Sequence, residues 1–225
     1  CLKILKNKTV VIAADTGICI YNPVNNHIQR IRSFYYQKQE IRCDIIKIEE
    51  TGNGDILLAS STAGVLLLDQ NFTVNQYWDS PLFDQGENLQ IIDILPVSPG
   101  SIFIATASGL YKLYLNHTNS LKRLNDQDSI TLSTLRINCL AFDRLNNQIL
   151  AGTNNTGVIT LDTNGIITDH LADNFNAQRL HSNTIYSLLI APNNAGYWIG
   201  TRNGLSKFFR EEDKFGGYKL QTPED

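Results

Sequence analysis

The side chains of this chain best suited to hold a ligand are aromatics and the polar groups near them. They fall in four short stretches: Phe34-Tyr35-Tyr36, Trp78-Asp79, the wholly polar Asp126 to Asp128, and Asp173 to His181 with Arg179. A flat ring packs against the C–H face of a sugar while adjacent polar groups meet its hydroxyls, so these stretches suit carbohydrate binding. The candidate ligand contacts are Tyr35, Tyr36, Trp78, Arg179, His181 and Arg202. Covalent chemistry finds no comparable set. His27, His117, His170 and His181 show no helical metal-binding spacing, no Gly-x-Ser-x-Gly elbow occurs, and no glycine-rich phosphate loop is present. Asp162-Thr163-Asn164-Gly165 resembles the start of a calcium loop, but the later ligands are missing and a hairpin turn explains it better. Glu49 and Glu50 are adjacent at a strand end, so their carboxylates point to opposite faces. No metal, cofactor or catalytic residue is expected, and the region is read as non-enzymatic.

Each candidate also has a packing reading. At least two of Phe34, Tyr35 and Tyr36 serve equally well to plug a gap between neighbouring sheets. Trp78 closes an edge strand and faces either solvent or a neighbour. Trp198 alternates inward with its strand and is expected in the core. Arg202, in a hairpin turn, is the least explained by packing, although a solvated arginine is its default.

The elements that carry these residues repeat. Five times an apolar run ends in a small residue, crosses a polar turn and restarts at a glycine: VVIAADTGICIY from Val10, ILLASSTAGVLLLD from Ile56, IFIATASGLYKL from Ile102, ILAGTNNTGVITLD from Ile149, and YWIGTRNGL from Tyr197. The restart glycines, Gly17, Gly64, Gly109, Gly157 and Gly204, are spaced by 47, 45, 48 and 47 residues. The fifth copy reads as strand Ile185–Ile190, a turn cluster with Pro192, Asn193 and Asn194, strand Tyr197–Thr201, a turn at Arg202-Asn203-Gly204 whose Asn-Gly supplies positive φ angles, strand Leu205–Phe209, and a weak outer strand at Tyr218–Leu220. Upstream, inner strands are expected at Ile41–Ile48, Leu89–Leu95 and Leu135–Phe142, with Leu2–Leu5 serving the first copy. Outer strands are expected at His27–Ile31, Val74–Trp78, Leu121–Leu124 and Ile166–His170. Four short strands in a repeat of this length are the signature of propeller blades.

The fold expected is therefore all-β, a β-propeller or an arc of one, with about five four-stranded antiparallel blades at approximately 1–32, 33–80, 81–125, 126–172 and 173–225. In such a blade the turn between strands two and three and the connection to the next blade share a face, which would bring Asp15-Thr16, Ser61-Thr62, Ala107-Ser108, Asn154-Asn155 and Arg202-Asn203 beside the aromatic stretches. The asparagine pairs at Asn25, Asn146 and Asn193 would serve turns on the opposite face.

Composition fits a packed domain: 225 residues, 42% hydrophobic and 18% charged. A net charge of −3 and a pI near 5.8 give no electrostatic footprint for nucleic acid. No apolar run approaches the roughly 20 residues that span a bilayer. Methionine is absent even at position 1, which is the expectation for a processed chain or one cut from a longer polypeptide; Cys1 reads as a lipid-modified amino terminus or, preferably, as the edge of such a piece. Cys19, Cys43 and Cys139 lie in apolar strands as small hydrophobes, with no metal or disulfide spacing.

The string YWIGTRNGL, with weaker copies at the other four positions, resembles the two-component regulator propeller repeat, in which an apolar residue, usually tryptophan, precedes Ile-Gly-Thr, a two-residue turn and Gly-Leu. Ala59 and Ala105 replace the strand glycine, and Val11, Leu57, Phe103 and Leu150 stand at the tryptophan position. The resemblance implies a periplasmic sensor region of a Bacteroidetes hybrid two-component system, detecting a glycan fragment ahead of a membrane segment, a histidine kinase and a response regulator. It implies an oligosaccharide ligand, further repeats and downstream receptor domains as partners, and a membrane-anchored receptor as the setting. The alternatives are a non-catalytic scaffold for protein–protein contact or homodimerisation and, more remotely, a propeller lyase or hydrolase. The Asn-x-Thr strings at Asn7, Asn71, Asn116 and Asn154 would accept glycans only in a eukaryotic secretory setting.

Overall fold

The computed structural model describes residues 1–79, 90–115, 121–125, 130–172, 180–191, 196–209 and 214–219. Every regular element among them is a strand, and the strands form antiparallel sheets, five of four strands and one of two. The first sheet holds β1 (Leu2–Ile4), β2 (Val10–Ala13), β3 (Ile18–Asn22) and β4 (His27–Ile31). A small hairpin follows, β5 (Phe34–Tyr36) with β6 (Gln39–Ile41). The second sheet holds β7 (Lys47–Glu50), β8 (Ile56–Ser60), β9 (Gly64–Leu68) and β10 (Val74–Asp79); the third holds β11 (Ile91–Ser98), β12 (Ser101–Thr106), β13 (Gly109–Tyr114) and β14 (Leu121–Arg123). The fourth holds β15 (Ile137–Asp143), β16 (Gln148–Thr153), β17 (Val158–Asp162) and β18 (Ile167–Leu171), and the fifth β19 (Ile185–Ile190), β20 (Gly196–Thr201), β21 (Gly204–Phe209) and β22 (Lys214–Lys219). In each four-stranded sheet spatial order follows chain order, and no sheet closes on itself among the described residues.

The hairpin corrects the expectation of about five blades and nothing else. Phe34–Tyr36, read as a plain connection, is a strand, and the inner strand expected over Ile41–Ile48 begins only at Lys47. Gln37 (φ 48°) and Lys38 (φ 71°) both take left-handed backbone and close a two-residue turn. That turn pairs Phe34 with Ile41, and both are buried. At Arg202-Asn203-Gly204 the opposite correction applies, because only Gly204 (φ 138°) is left-handed and Asn203 is not.

The chain divides into two compact units, Cys1–Thr106 with Tyr111–Arg123, and Ala107–Leu110 with Leu124–Asp225. In the first unit the second sheet is buried on both faces, as strand alternation allows. Ile48, Leu58, Leu66 and Leu68 pack with Val11, Ile18, Ile20, Phe34 and Ile41, while Leu57, Ala59 and Val65 pack with Ile91, Ile94, Ile102 and Ile104. A fully buried leucine contributes about 2 kcal/mol and a net hydrogen bond about 1 kcal/mol, so these facing sheets outweigh the turns in holding the unit together. The first sheet's other face is open: Leu2 (58% exposed), Ile4, Ile12 and Ile28 lie on it together.

In the second unit Cys139, Ala141, Leu150 and Val158 of the fourth sheet pack with Leu180, Ile185 and Ile199. A Cβ built on Gly152 would lie 2.7 Å from Ile185 Cγ2 and 2.6 Å from Cys139 Sγ, so the small residue there lets the next sheet approach. Gly200 holds the same place in the fifth sheet, and its nearest neighbours all belong to Ser187 of its own sheet. That face is open, with Leu189 62% exposed beside Trp198 and Leu205. Trp198, expected in the core, is only half-buried, and the Lys207 ammonium stands 4.8 Å from its ring centre. Its counterparts Val11, Leu57, Phe103 and Leu150 are essentially fully buried.

Candidate functional site

Each four-stranded sheet ends its second strand in a turn that is tied to the chain just ahead of an inner strand. The N–H groups of Gly17, Gly109 and Gly157 donate to the carbonyls of Cys43 (3.1 Å), Leu135 (2.9 Å) and Asn183 (2.9 Å), in every case 26 residues downstream. The N–H groups of Asn154 and Arg202 donate to Arg136 O (3.1 Å) and Thr184 O (2.9 Å). Ile91 N–H donates to Ser61 O at 3.0 Å. These bonds satisfy turn backbone that would otherwise be unpaired, and they hold turns and connections on one face, as alternation predicts.

Hydroxyls at the end of the second strand brace the same turns, a signal the sequence reading passed over as part of the packing motif. Thr153 Oγ1 donates to Gly157 O (2.8 Å) and accepts the N–H of Thr156 (2.8 Å). Thr201 Oγ1 donates to Gly204 O (2.9 Å) and accepts the N–H of Asn203 (3.3 Å). Ser60 Oγ accepts from Thr62 and Ala63 and donates to Asp44 Oδ1 at 2.8 Å. Ser61 Oγ donates to the other oxygen, Asp44 Oδ2, at 2.6 Å. Partial burial pushes the Asp44 carboxyl up, and the Ser61 and Ser60 donors outweigh it, so it stays ionised below the usual carboxylate range.

The candidate contacts in the first unit separate by strand alternation. Tyr35 is exposed, its hydroxyl 3.4 Å from Glu40 Oε1, and Glu40 in turn accepts from Arg42 Nε at 3.0 Å. Tyr36 turns inward, edge-on to Tyr77 at 6.3 Å between ring centres, with Gln37 Nε2 donating to its hydroxyl at 3.3 Å. Phe34 is buried, so the plug is made by Phe34 and Tyr36 while Tyr35 stays exposed. Trp78 is 7% exposed and packs with Leu57, Ile91 and Ile94, which removes it from any ligand-facing surface. Its place on β10, pairing with Val65 of β9, sets the ring against the third sheet, the neighbour-facing alternative of the edge-strand reading.

In the second unit His181 anchors its connection rather than projecting from it: its backbone N–H and Nδ1 both meet Ser206 Oγ, the latter at 2.9 Å. Arg202 is exposed at its turn. Arg179, with Asp173 to Arg179 and Asp126 to Asp128, lies outside the described residues. The structure adds a groove of about 420 Å³ lined by Ile130, Thr131, Thr134, Arg136, Asn154 and Asn155. Arg136 was not a candidate, because nothing in its immediate sequence separates it from any other surface arginine. Among the described residues no three His, Cys, Asp or Glu side chains come together to hold a metal ion. Asp162 makes its hairpin turn instead, accepting N–H groups from Ile166 (2.8 Å) and Asn164 (2.9 Å).

No family model and no curated protein matches the chain. Solved structures do. It is similar to the extracellular domain of a candidate hybrid two-component system from B. thetaiotaomicron, at 18% identity and a TM-score of 0.73 over 98% of this chain and 28% of that one. A second extracellular domain of this description from the same organism matches at 16% identity and a TM-score of 0.63, over 99% of this chain and 34% of that one. A β-propeller domain from Myceliophteria thermophila matches at 12% identity and a TM-score of 0.67, over 93% of this chain and 64% of that one. The fold is propeller-like. The chain spans about a third of the length of the two bacterial domains.

Proposed function

We propose that this chain is part of the extracytoplasmic, ligand-sensing region of a hybrid two-component receptor and that its ligand is an oligosaccharide. The observation that carries the reading is the groove beside Arg136, Asn154 and Asn155, built on the face where braced turns meet the connections. Amides, hydroxyls and a guanidinium in an open groove match a ligand that is mostly hydroxyl, and the turns that present them are held rigid before binding. The likeness to extracellular domains of candidate hybrid two-component systems supports the same setting. The reading needs no catalytic group in this region. Further repeats, downstream receptor domains and a second copy are the partners it implies.

A scaffold reading has its own support in the open apolar faces at Leu2, Ile4 and Ile28 and at Leu189 and Leu205. The two readings part in a thermal-shift screen against plant and host oligosaccharides, since a ligand that binds only the folded state raises the melting temperature. Sensing predicts a shift from one glycan class that is reduced by Asn155→Ala. A folded chain that shifts with no glycan sinks the sensing reading and leaves the scaffold.

A further inference from the structure

We infer that the rim of the second unit is selective for an acidic oligosaccharide, whose carboxylate or sulfate groups meet the guanidinium groups of Arg136 and Arg202. The inference rests on the sensing reading and specifies the ligand class. The rim is one hydrogen-bonded run: Arg136 O accepts from Asn154 N–H, Thr184 Oγ1 donates to Asn155 Oδ1 at 3.5 Å, and Thr184 O accepts from Arg202 N–H. Both arginines are exposed. Arg136 Nε donates to Asn138 Oδ1 at 3.2 Å, and its two terminal nitrogens make no hydrogen bond among the described residues. Among the described residues no carboxylate lines the groove. On a chain of net charge −3, two permanent cations on one rim are a local reversal of sign.

The second sheet supplies an internal comparison. Cys43, Leu135 and Asn183 are the equivalent acceptors of the turn glycines, so the residues after them, Asp44, Arg136 and Thr184, occupy one repeated position. At Asp44 the charge is consumed inside the protein by the Ser60 and Ser61 hydroxyls. At Arg136 the charge is of opposite sign and is left for a ligand. Neighbouring sheets pack about 10 Å apart, so the arginines of the fourth and fifth sheets suit an oligomer carrying repeated charges better than a single small acid. Guanidinium groups bind carboxylate and sulfate oxygens in pairs, which gives discrimination against a neutral sugar of the same shape.

The test is calorimetric titration of the 225-residue chain with oligogalacturonate, with a sulfated heparin tetrasaccharide, and with neutral cellotetraose and maltotetraose, each at low and high salt. An acidic oligosaccharide is expected to bind at least about tenfold more tightly than the neutral ones, to weaken with salt, and to lose about tenfold in Arg136→Ala and in Arg202→Ala. The carboxylated and sulfated probes report which anion is preferred. Arg136→Lys, which keeps the charge but not the paired geometry, is expected to recover only part of the loss. Unchanged melting temperatures of the unliganded variants exclude unfolding as the cause. Equal binding of neutral sugars, or indifference to both arginine substitutions, overturns the acidic class while sensing stands; binding of none overturns both.

Discussion

The amide of Gly157 donates to the carbonyl of Asn183 at 2.9 Å, and a Cβ placed on Gly157 would lie 2.1 Å from the carbonyl oxygen of Leu171. The turn is thus pressed between the outer strand of its own sheet and the chain entering the next. Only a residue without a side chain fits, and φ of +85° asks for the same residue independently. Gly157→Ala is expected to cost about 3 kcal/mol, combining left-handed strain with backbone displacement. Gly52→Ala is the control: its Cβ meets only the Pro99 ring, at 3.1 Å, and no left-handed φ is involved, so the cost should stay below about 1 kcal/mol. Urea unfolding of the two variants decides; equal losses would show that crowding at Gly157 is relieved cheaply.

Asp44 makes the acid side of stability predictable. Its carboxyl lies below the ordinary aspartate range in the folded chain, so its contribution is present in full above the unfolded value and fades as pH falls through the folded one. Asp44→Asn should therefore destabilise at neutral pH and converge on the parent as pH drops through and below about 4. Melting temperatures measured across that range would refute this if the two curves ran parallel.

Leu57 of the second sheet stands at the position that Trp198 holds in the fifth, and Leu189 pairs directly with Trp198, so the two leucines lie on corresponding faces of their sheets. Leu57 is fully buried, whereas Leu189 is 62% exposed. Leu57→Asp is expected to abolish folding, since an unpaired carboxylate would enter the core. Leu189→Asp should change stability by no more than about 0.5 kcal/mol. A large loss at Leu189 in dilute chain, seen by circular dichroism, would mean that its face is covered.

What could be read from the sequence was whatever near neighbours enforce. Strand existence followed from alternation, and four outer strands lie within a residue or so of their expected places at His27–Ile31, Val74–Asp79, Leu121–Arg123 and Ile167–Leu171. All five restart glycines carry positive φ, because a turn of three or four residues leaves no other conformation to its last member. The hairpin at Gln37-Lys38 was missed because neither residue is a usual left-handed one, and pairing between Phe34 and Ile41 imposes the conformation on them.

Which face of a strand is covered, and which charge is spent, were decided only by the tertiary structure. Alternation says that Trp78 and Trp198 each point to one side of a sheet, but not whether another sheet lies there; the first is buried and the second half-open. Asp44 and Arg136 occupy one repeated position, and nothing local distinguishes a carboxylate closed by two serines from a guanidinium left at a groove. Turn and strand chemistry act over a few residues, whereas burial and charge pairing depend on groups brought together from 16 or more residues away, as Ser60 is to Asp44, or 47 away, as Asn138 is to Ile185.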